Sequence, residues 1–423
     1  MQKSNWKEFI FKDLGQIITG KTPSTKEKGV FGCDIPFLTP TDITNQRYIS
    51  TTNRFLSKTG NFSVKKFLLP KNSISVTCIG SDMGKVVINA RELITNQQIN
   101  SIIINSSIVD YLYLYYALKK RKKELLNLGL SGSTMPILNK TAFSNLKISL
   151  PPLDEQKRIA GVLGAFDDKI ELLQKQNTTL ENMAKALFKS WFVDFDVVHA
   201  KQQGQPKAEV MREYHLTEEM YNLFPSSFEP SALGPIPTGW QVKPLSQIAT
   251  FLNGLALQKY STNNKINFLP VIKIAELRNG LSASSDKASC DIPAEYIVFN
   301  GDILFSWSGS LMVKIWSGPK GALNQHLFKV SSLDYPKWFY YMWIKEYLPF
   351  FQEIAADKAT TMGHIQRKHL DQALVCIPQN LNIYTRYFAK LIDKQILNNK
   401  QIQTLTEMRD ALLPRLISGK IRV

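Results

Sequence analysis

A segment near the start of the chain has the residue types and spacing of the phosphate-binding loop of nucleotide hydrolases. Residues 15–22, GQIITGKT, fit the pattern G-x-x-x-x-G-K-T, in which backbone N–H groups and a lysine bind phosphate. Such a loop must open a helix, whose amino end holds the phosphate. Here Lys21 and Thr22 are followed by Pro23 and Ser24 instead. A nucleotide hydrolase is therefore the weaker interpretation of this segment.

Other catalytic patterns are equally poorly supported. Residues 162–168, VLGAFDD, resemble a Walker B strand but fall inside a heptad register, and Glu155-Gln-Lys157 suits the first turn of a helix better than a nuclease pair. The sequence contains neither the Asn-Pro-Pro-aromatic or Asp-Pro-Pro-Tyr motif of an amino-methyltransferase nor a paired glycine-rich loop for its cofactor. Its five histidines and four cysteines show no metal-ligand spacing and no C-x-x-C pair. We expect no catalytic residue, no metal and no cofactor in this chain.

Polar residues suited to reading DNA remain. Base edges are recognised by Arg, Lys, Asn, Gln, Ser and Thr, while lysines also contact phosphates. The alternative for each candidate is turn or cap chemistry, the commoner role of Ser, Thr and Asn. The basic run 119–123 is either phosphate-facing or a solvated helix end. The predicted DNA-binding residues are Lys21, Thr22, Ser24, Thr25, Ser81, Lys85, Asn96, Gln97, Gln98, Ser131, Ser133, Thr134, Ser310, Lys314, Asn324, Gln325, His326, Thr360, Thr361 and His364.

These candidates occupy matching places because the second half of the chain repeats the first. Residues 68–81, LLPKNSISVTCIGS, align with residues 297–310, IVFNGDILFSWSGS, at an offset of 229. Other matches run from an offset of 234 at Trp6 and Trp240 to 225 at Leu187 and Leu412, always in the same order. Deletions in surface loops give such a stepwise decrease. We infer a diverged tandem duplication.

Each repeat consists of a β-rich part and a helical part. The first combines short β-rich runs with one helical stretch, residues 111–129 in the first copy. In the helical part of the first copy, Asp154 is the predicted N-cap. The apolar residues that follow step by four and three alternately, which is typical of a coiled-coil seam. Its members are Ile159, Leu163, Phe166, Ile170, Leu173, Asn177, Leu180, Ala184, Leu187 and Trp191. The weaker seam of the second copy comprises Tyr384, Phe388, Leu391, Gln395, Asn398, Ile402, Leu405, Arg409, Leu412 and Leu416.

The predicted fold class is α+β, a tandem repeat of two mixed α/β domains, each followed by a long helix. The two helices are expected to pack as an antiparallel coiled coil related by a pseudo-twofold axis. Asn177 is the polar residue of the first seam, either buried there to fix the register or exposed at a gap in the seam, and a leucine there is expected to raise the melting temperature. The predicted boundaries are 1–150 and 240–378 for the domains, 151–196 and 379–423 for the helices, and 197–239 for an ordered but irregular linker.

Charge favours a polyanionic partner. The 423 residues carry 52 Lys and Arg against 35 Asp and Glu, a net charge of +17. Residues 1–150 contribute +12, 151–239 −4, 240–378 +4 and 379–423 +5, so basic segments flank an acidic one. The alternative is that excess lysine serves only solubility. Neither a signal peptide nor a membrane span is evident, and we expect a soluble, cytoplasmic protein.

The sequence resembles the specificity subunits of type I restriction-modification systems over essentially its whole length. In the second copy Pro-Gln-Asn-Leu-Asn replaces the Pro-Pro-Leu-Asp-Glu-Gln run, a departure from the family pattern. The segments that carry the resemblance are ITGKTPS (18–24), IPFLTP (35–40), GSDMGK (80–85), TNQ (95–97), LPPLDEQKRI (150–159) and LGPIPTGW (233–240).

The resemblance implies two target recognition domains, each reading one half of a bipartite double-stranded DNA sequence, with the helices setting the gap and docking two modification subunits. Those methyltransferase subunits would use S-adenosylmethionine to methylate adenines at N6, and restriction subunits would add ATP- and magnesium-dependent translocation and cleavage. The specificity subunit itself is not an enzyme. A stand-alone DNA-binding protein is the other interpretation.

Overall fold

The computed structural model describes residues 5–24, 29–44, 46–130, 136–263, 266–282, 284–357 and 363–423. The chain forms two compact units, and we call residues 1–169 with 405–423 unit 1 and residues 170–404 unit 2. The boundaries between them fall inside two helices of 36 residues, so each unit contains part of both helices.

The described residues form β1 (Lys7–Ile10), β2 (Gly15–Thr19), β3 (Phe31–Gly32), β4 (Ile35–Leu38), β5 (Tyr48–Ile49), β6 (Phe55–Leu56), β7 (Ile74–Thr77), β8 (Val86–Asn89), β9 (Ile94–Thr95), β10 (Ile99–Ile104), β11 (Lys147–Leu150), β12 (Phe228–Ser231), β13 (Gly234–Pro237), β14 (Gln241–Pro244), β15 (Thr250–Asn253), β16 (Leu269–Ile272), β17 (Lys287–Ala288), β18 (Ile297–Val298), β19 (Ile303–Ser306), β20 (Val313–Ile315), β21 (Gly321–Leu323), β22 (Leu327–Ser331) and β23 (Leu374–Ile377). The helices are α1 (Lys58–Val64), α2 (Tyr111–Lys120), α3 (Lys122–Leu130), α4 (Lys140–Ser144), α5 (Leu153–Phe188), α6 (Asp196–Gln202), α7 (Lys207–Glu213), α8 (Glu218–Leu223), α9 (Leu245–Ile248), α10 (Ile274–Asn279), α11 (Lys337–Glu346), α12 (Leu348–Asp357), α13 (Arg367–Gln372) and α14 (Asn382–Ile417).

Unit 1 is built on two sheets and a two-stranded ribbon. The larger sheet has the order β2-β10-β7-β8-β5, the smaller β3-β6-β4-β9, and β1 pairs with β11. In the smaller sheet β4 and β9 are parallel. Helix α2 packs on the larger sheet, and Tyr113, Leu114 and Leu118 are fully buried there.

Unit 2 repeats this arrangement. Its larger sheet has the order β15-β22-β19-β20 and its smaller one β17-β16-β21-β18, in which β16 and β21 are parallel. Strands β14 and β23 form the ribbon. The larger sheets share the order of four strands, β2-β10-β7-β8 and β15-β22-β19-β20. This repetition confirms the predicted fold class, two mixed α/β domains in tandem, each followed by a long helix.

The first long helix is fixed at its start by local hydrogen bonds. Gln156, which is buried, donates to the carbonyl of Pro151 at 2.9 Å and accepts the backbone N–H of Asp110 at 2.9 Å. Asp154 and Glu155 lie in its first turn, where acidic residues favour the helix dipole. After Phe188 the chain continues through a π-helical turn, Lys189–Val193.

Two sequence expectations about local structure were wrong. The single helix expected over 111–129 is two helices, interrupted at Arg121, whose guanidinium binds Glu124 and the carbonyl of Lys147. The linker 197–239 is not irregular. It contains α7, α8 and the β12–β13 hairpin. Regular structure forms because apolar side chains there, such as Val210, Met220 and Phe224, are buried in the core of unit 2.

Candidate nucleic-acid interface

Four loops of unit 1 lie together, and we call residues 20–24, 78–85, 95–98 and 136–138 loop cluster 1. Backbone hydrogen bonds connect them. The N–H of Gly20 donates to the carbonyl of Ile99 at 3.1 Å, and the N–H of Gly80 donates to the carbonyl of Pro136 at 3.0 Å. The structure therefore brings together loops that are more than 100 residues apart in the sequence.

Unit 2 contains the matching arrangement, loop cluster 2, made of residues 253–255, 307–312, 324–326 and 363–365. Here the N–H of Gly254 donates to the carbonyl of Leu327 at 3.0 Å, and that of Gly309 to the carbonyl of Gly363 at 2.8 Å. The same backbone contacts thus recur in the two units although the side chains differ.

A glycine at the end of the first sheet strand is required in both clusters. A Cβ built on Gly20 would lie 2.1 Å from Thr95 Oγ1 and 2.2 Å from the Thr95 carbonyl oxygen. A Cβ on Gly254 would lie 2.2 Å from the carbonyl oxygen of Asn324. Both clashes involve backbone, which cannot rotate away. These glycines allow the first loop to approach the third.

In loop cluster 1 the predicted DNA-binding side chains have different environments. Lys21 and Ser81 are exposed, and so is Gln97, whose Oε1 accepts a hydrogen bond from Thr22 at 2.7 Å. Asn96 is buried, and its Oδ1 accepts the backbone N–H of Gln98 at 3.1 Å. The position of Asn96 favours the turn-forming role over DNA contact.

The equivalent asparagine of loop cluster 2 is buried in the same way. The Oδ1 of Asn324 accepts the backbone N–H of His326 at 3.2 Å. Gln325 and His326 are half-buried, and the Nδ1 of His326 lies 2.9 Å from the hydroxyl of Ser308. Ser310 is exposed. Exposed polar groups and buried loop-forming groups therefore alternate in both clusters.

The two lysines that were matched by the repeat have protein partners. Lys85 forms an ion pair with Asp82 at 3.0 Å. Lys314 donates to the carbonyl of Arg278 at 3.1 Å, and burial together with the Arg278 charge lowers the pKa of Lys314. Ser24 is exposed and His364 is half-buried, with His364 opposite Ser308. The candidates Thr25, Ser131, Ser133, Thr134, Thr360 and Thr361 lie outside the described residues.

The geometry of the P-loop-like segment does not match a phosphate-binding loop. Residues Gly15–Thr19 form β2, and no helix begins within residues 20–24. The Walker B look-alike is helical, since Asp167 and Asp168 lie in α5. Among the described residues, no group of three or more His, Cys, Asp or Glu side chains could hold a metal ion.

The basic run 119–123 begins with two lysines, Lys119 and Lys120, that lie beside α14 in unit 1. Burial and the nearby Arg409 charge lower the pKa of Lys119. Lys120 donates to the carbonyl of Pro414 at 3.2 Å. Arg121 instead binds the carbonyl of Lys147, and Lys122 lies next to Gly84 in loop cluster 1.

In unit 1 the long helices are joined by a buried polar network. The carboxylate of Asp167 on α5 accepts from Arg409 on α14 at 2.5 Å and from the hydroxyl of Tyr116 at 2.6 Å. Arg47, 5% exposed, forms an ion pair with Asp168. Burial and the adjacent Asp167 carboxylate raise the pKa of Tyr116. Of the two acidic residues of the Walker B look-alike, Asp167 thus packs the helices together, whereas Asp168 is exposed and links α5 to Arg47.

In unit 2 the same helices meet through amides and aromatic rings. Asn177 Nδ2 donates to Asn399 Oδ1 at 2.7 Å, and Asn398 Nδ2 donates to Asn177 Oδ1 at 2.9 Å. Towards the end of α5, the rings of Phe188 and Phe388 are 6.2 Å apart. Partners of higher number on α5 have lower numbers on α14, so the helices are antiparallel.

The predicted seam residues all face packed surroundings within their own units. None is exposed, and Phe166, Asn177, Leu180, Leu187, Leu391, Ile402, Leu405, Arg409 and Leu412 are intermediate. The buried seam residues are Ile159, Leu163, Ile170, Leu173, Ala184, Trp191, Tyr384, Phe388, Gln395, Asn398 and Leu416.

Sequence reasoning missed Arg47 and Asp168, which are 121 positions apart and carry no shared motif. It also treated Asn177 as an isolated polar residue, although Asn398 belongs to the predicted seam of the other copy. Matching the two seams in antiparallel order would have revealed that pair. No helix of the described residues is long and apolar enough to cross a membrane.

Comparison with known proteins identifies the same duplication. The family model described as "Type I restriction modification DNA specificity domain" matches residues 3–182 and again 237–407. The type I restriction enzyme MjaIX specificity subunit of Methanocaldococcus jannaschii is 31% identical over 437 residues, covering 99% of this chain and 94% of that protein. The HindI specificity subunit of Haemophilus influenzae is 22% identical, covering 99% of this chain and all of that protein. The crystal structure of the type I system S subunit from M. genitalium superposes with a TM-score of 0.56 at 16% identity, covering 98% and 97% of the two chains.

Proposed function

The chain belongs to the family of type I restriction-modification DNA specificity proteins, and from this premise we propose that it is the specificity subunit of such a complex. Loop cluster 1 reads one half of a bipartite double-stranded DNA target, and loop cluster 2 reads the other. The observation that supports this most directly is that the same backbone contacts assemble four loops in each unit while the side chains differ. A shared scaffold with different polar groups suits two different half-sites.

The electrostatic balance supports DNA as the partner. The net charge of +17 provides long-range attraction to phosphate, which is independent of base sequence. Specific reading then requires hydrogen-bonding groups at base edges. Among the exposed candidates, we assign Lys21, Gln97, Ser81 and Ser310 to DNA contact.

The two long helices set the gap between the half-sites and provide the docking surface for two modification subunits. At about 1.5 Å per residue, each 36-residue helix is about 54 Å long. Methyl transfer with S-adenosylmethionine, and ATP- and magnesium-dependent cleavage, belong to the modification and restriction subunits. This subunit supplies recognition, not catalysis.

Domain exchange tests the assignment of half-sites. Residues 1–150 would be replaced by the matching domain of a related subunit, and methylated adenines would be mapped in cells that express the complete methyltransferase. One half of the target should change while the other stays the same. A change in both halves, or in neither, would contradict the proposal.

A matched pair of glycine variants tests the loop clusters themselves. Gly20→Val should impair reading of one half-site and Gly254→Val the other, because each added side chain meets backbone at about 2.2 Å. Each variant is the control for the other, since Gly20 lies in unit 1 and Gly254 in unit 2. If both loop variants retained normal binding of assembled methyltransferase to DNA, the clusters would not be the interface.

Helix insertion tests the spacer. One added heptad in each helix preserves the apolar face and adds about 10 Å, close to 3 base pairs at about 3.4 Å each. The half-site sequences should persist with a longer gap. An active enzyme with an unchanged gap would show that the helices do not set the spacing.

A stand-alone DNA-binding protein is the alternative function. Such a protein would bind the bipartite target with full affinity in the absence of modification subunits.

A further inference from the structure

The two loop clusters differ at the position where the repeat places Cys78 in unit 1 and Trp307 in unit 2. The backbone there is held alike. Leu138 N–H donates to the Cys78 carbonyl at 2.8 Å, and Ile365 N–H donates to the Trp307 carbonyl at 2.9 Å. Only the side chains differ. The Cys78 thiol is buried, whereas the Trp307 indole is half-buried.

The indole of Trp307 contacts the other three loops of loop cluster 2. Its Nε1–H lies 2.9 Å from Asn253 Oδ1 and 3.1 Å from the carbonyl oxygen of Gln325. Its ring centroid lies 5.9 Å from that of His326 and 6.3 Å from that of His364. One side chain therefore fixes the relative positions of the loops that begin at residues 253, 324 and 363.

This contact determines which way the Asn253 amide faces. An indole N–H can only donate, so the amide atom opposite it must be the oxygen. The NH2 group of Asn253, an exposed residue, is consequently turned away from Trp307. An asparagine held in this way presents two donors outward, and its oxygen is already engaged.

We propose that Trp307 is a positioning residue that holds Asn253 as a hydrogen-bond donor to DNA in the half-site read by unit 2. The inference rests on the proposed function. The acceptor is a guanine N7 or O6 at a base edge, or a phosphate oxygen, since both accept without needing to donate in return. Adenine suits this amide less well, because its bidentate contact with asparagine uses the amide oxygen as well.

Three variants of the full chain, assembled with modification subunits, test the proposal by adenine methylation mapping and DNA binding. Asn253→Asp keeps an oxygen to accept the indole N–H but loses both outward donors. Asn253→Ala loses the whole amide, and Trp307→Phe loses only the indole donor. Trp316→Phe is the matched control, because it removes an equivalent indole bond, 2.9 Å to the carbonyl of Pro319, elsewhere in unit 2.

If the acceptor is a base edge, discrimination should fall about tenfold at one position of one half-site. If it is a phosphate, binding should fall about tenfold with the recognised sequence unchanged, and the loss should be greatest for Asn253→Asp, whose carboxylate repels phosphate. In either case Trp307→Phe should add little to Asn253→Ala, since one acts through the other.

The proposal would be overturned if Asn253→Asp retained the binding and the target of the unchanged chain, or if Trp307→Phe and Trp316→Phe had the same effect. Exchange of residues 240–378 as a block separates this inference from the proposed function. If the block exchange changes one half-site while Asn253→Asp changes nothing, only the inference fails. If the block exchange also leaves the target unchanged, the proposed function fails.

Discussion

The two units contain the same helix pair but hold it together by different chemistry. In unit 1, α5 and α14 meet through the ion pair of Asp167 and Arg409, with Tyr116 as a third partner. In unit 2 they meet through asparagine amides and a group of stacked and edge-on rings that includes Phe388. Contacts of different polarity thus support the same helix pair. The backbone arrangement therefore does not dictate which side chains meet, provided that they fill the space between the helices and satisfy their hydrogen bonds.

The largest expected effect is in the aromatic half. Phe388 is fully buried and stacks on Trp338 with ring centroids 4.4 Å apart. Phe388→Ala should lower the free energy of unfolding by about 3–5 kcal/mol, and Leu163→Ala, its repeat counterpart in unit 1, by about 2–5 kcal/mol. Urea unfolding of the full chain measures both. If Leu163→Ala were clearly the more damaging, the aromatic contacts would not dominate in unit 2.

The ion pair of unit 1 should respond differently to single and double replacement. Arg409→Met leaves Asp167, which is 7% exposed, without its cationic partner, and should cost about 3 kcal/mol. Replacing Asp167 by Leu as well should recover part of that loss, because no unpaired charge remains. A double variant less stable than the single one would indicate that the network contributes net stability. Denaturant midpoints of the three chains supply the comparison.

The amide contacts of unit 2 reverse the expectation drawn for Asn177. The seam pattern predicts that a leucine would raise the melting temperature. Since Asn398 is fully buried and donates to Asn177, Asn177→Leu should instead destabilise the protein by about 1–3 kcal/mol. Replacing Asn177 and Asn398 together by leucine should restore much of the lost stability. A higher melting temperature for the single variant would favour the sequence-based prediction.

A smaller, pH-dependent effect is expected at Lys345 in unit 2. Burial lowers the pKa of Lys345 to about 8, below its ordinary 10.5, although it contacts Glu181 on α5. Between these two values the unfolded chain binds more protons than the folded one, so stability should rise with pH from about 8 to 10.5. Lys345→Met should remove that rise. Melting temperatures of both chains across this range test it, and an unchanged slope would exclude Lys345 as its cause.

Periodic features were predictable from the sequence. Apolar spacing predicted the helix, but the expected N-cap at Asp154 was wrong, because α5 begins at Leu153 and Asp154 lies in its first turn. Matching segments predicted the duplication, because both copies keep the same local pattern of strands and turns. The linker helices were not predicted, because Gly and Pro in the segment indicate turns, whereas the burial of Val210 and Met220 depends on contacts with the core of unit 2.

The candidate interface was less predictable than the fold. Sequence matching identified the loops, but not whether Asn96 would face solvent or stabilise its own turn, because that depends on backbone geometry fixed by contacts with distant loops. The role of Trp307 was not recognised either. Its two acceptors are 54 and 18 positions away, and the first copy has cysteine at that place.

The placement of α14 has a consequence for the order of events during synthesis. Unit 2 is one continuous stretch, whereas unit 1 needs residues 405–423 to cover the apolar face around Ile159 and Leu163 with Leu413 and Leu416. At about 5–20 residues per second, a ribosome takes about 10–50 s to travel from the first pair to the second. During that interval the nascent amino-terminal half exposes an uncovered helix surface, which is where a chaperone would be expected to bind.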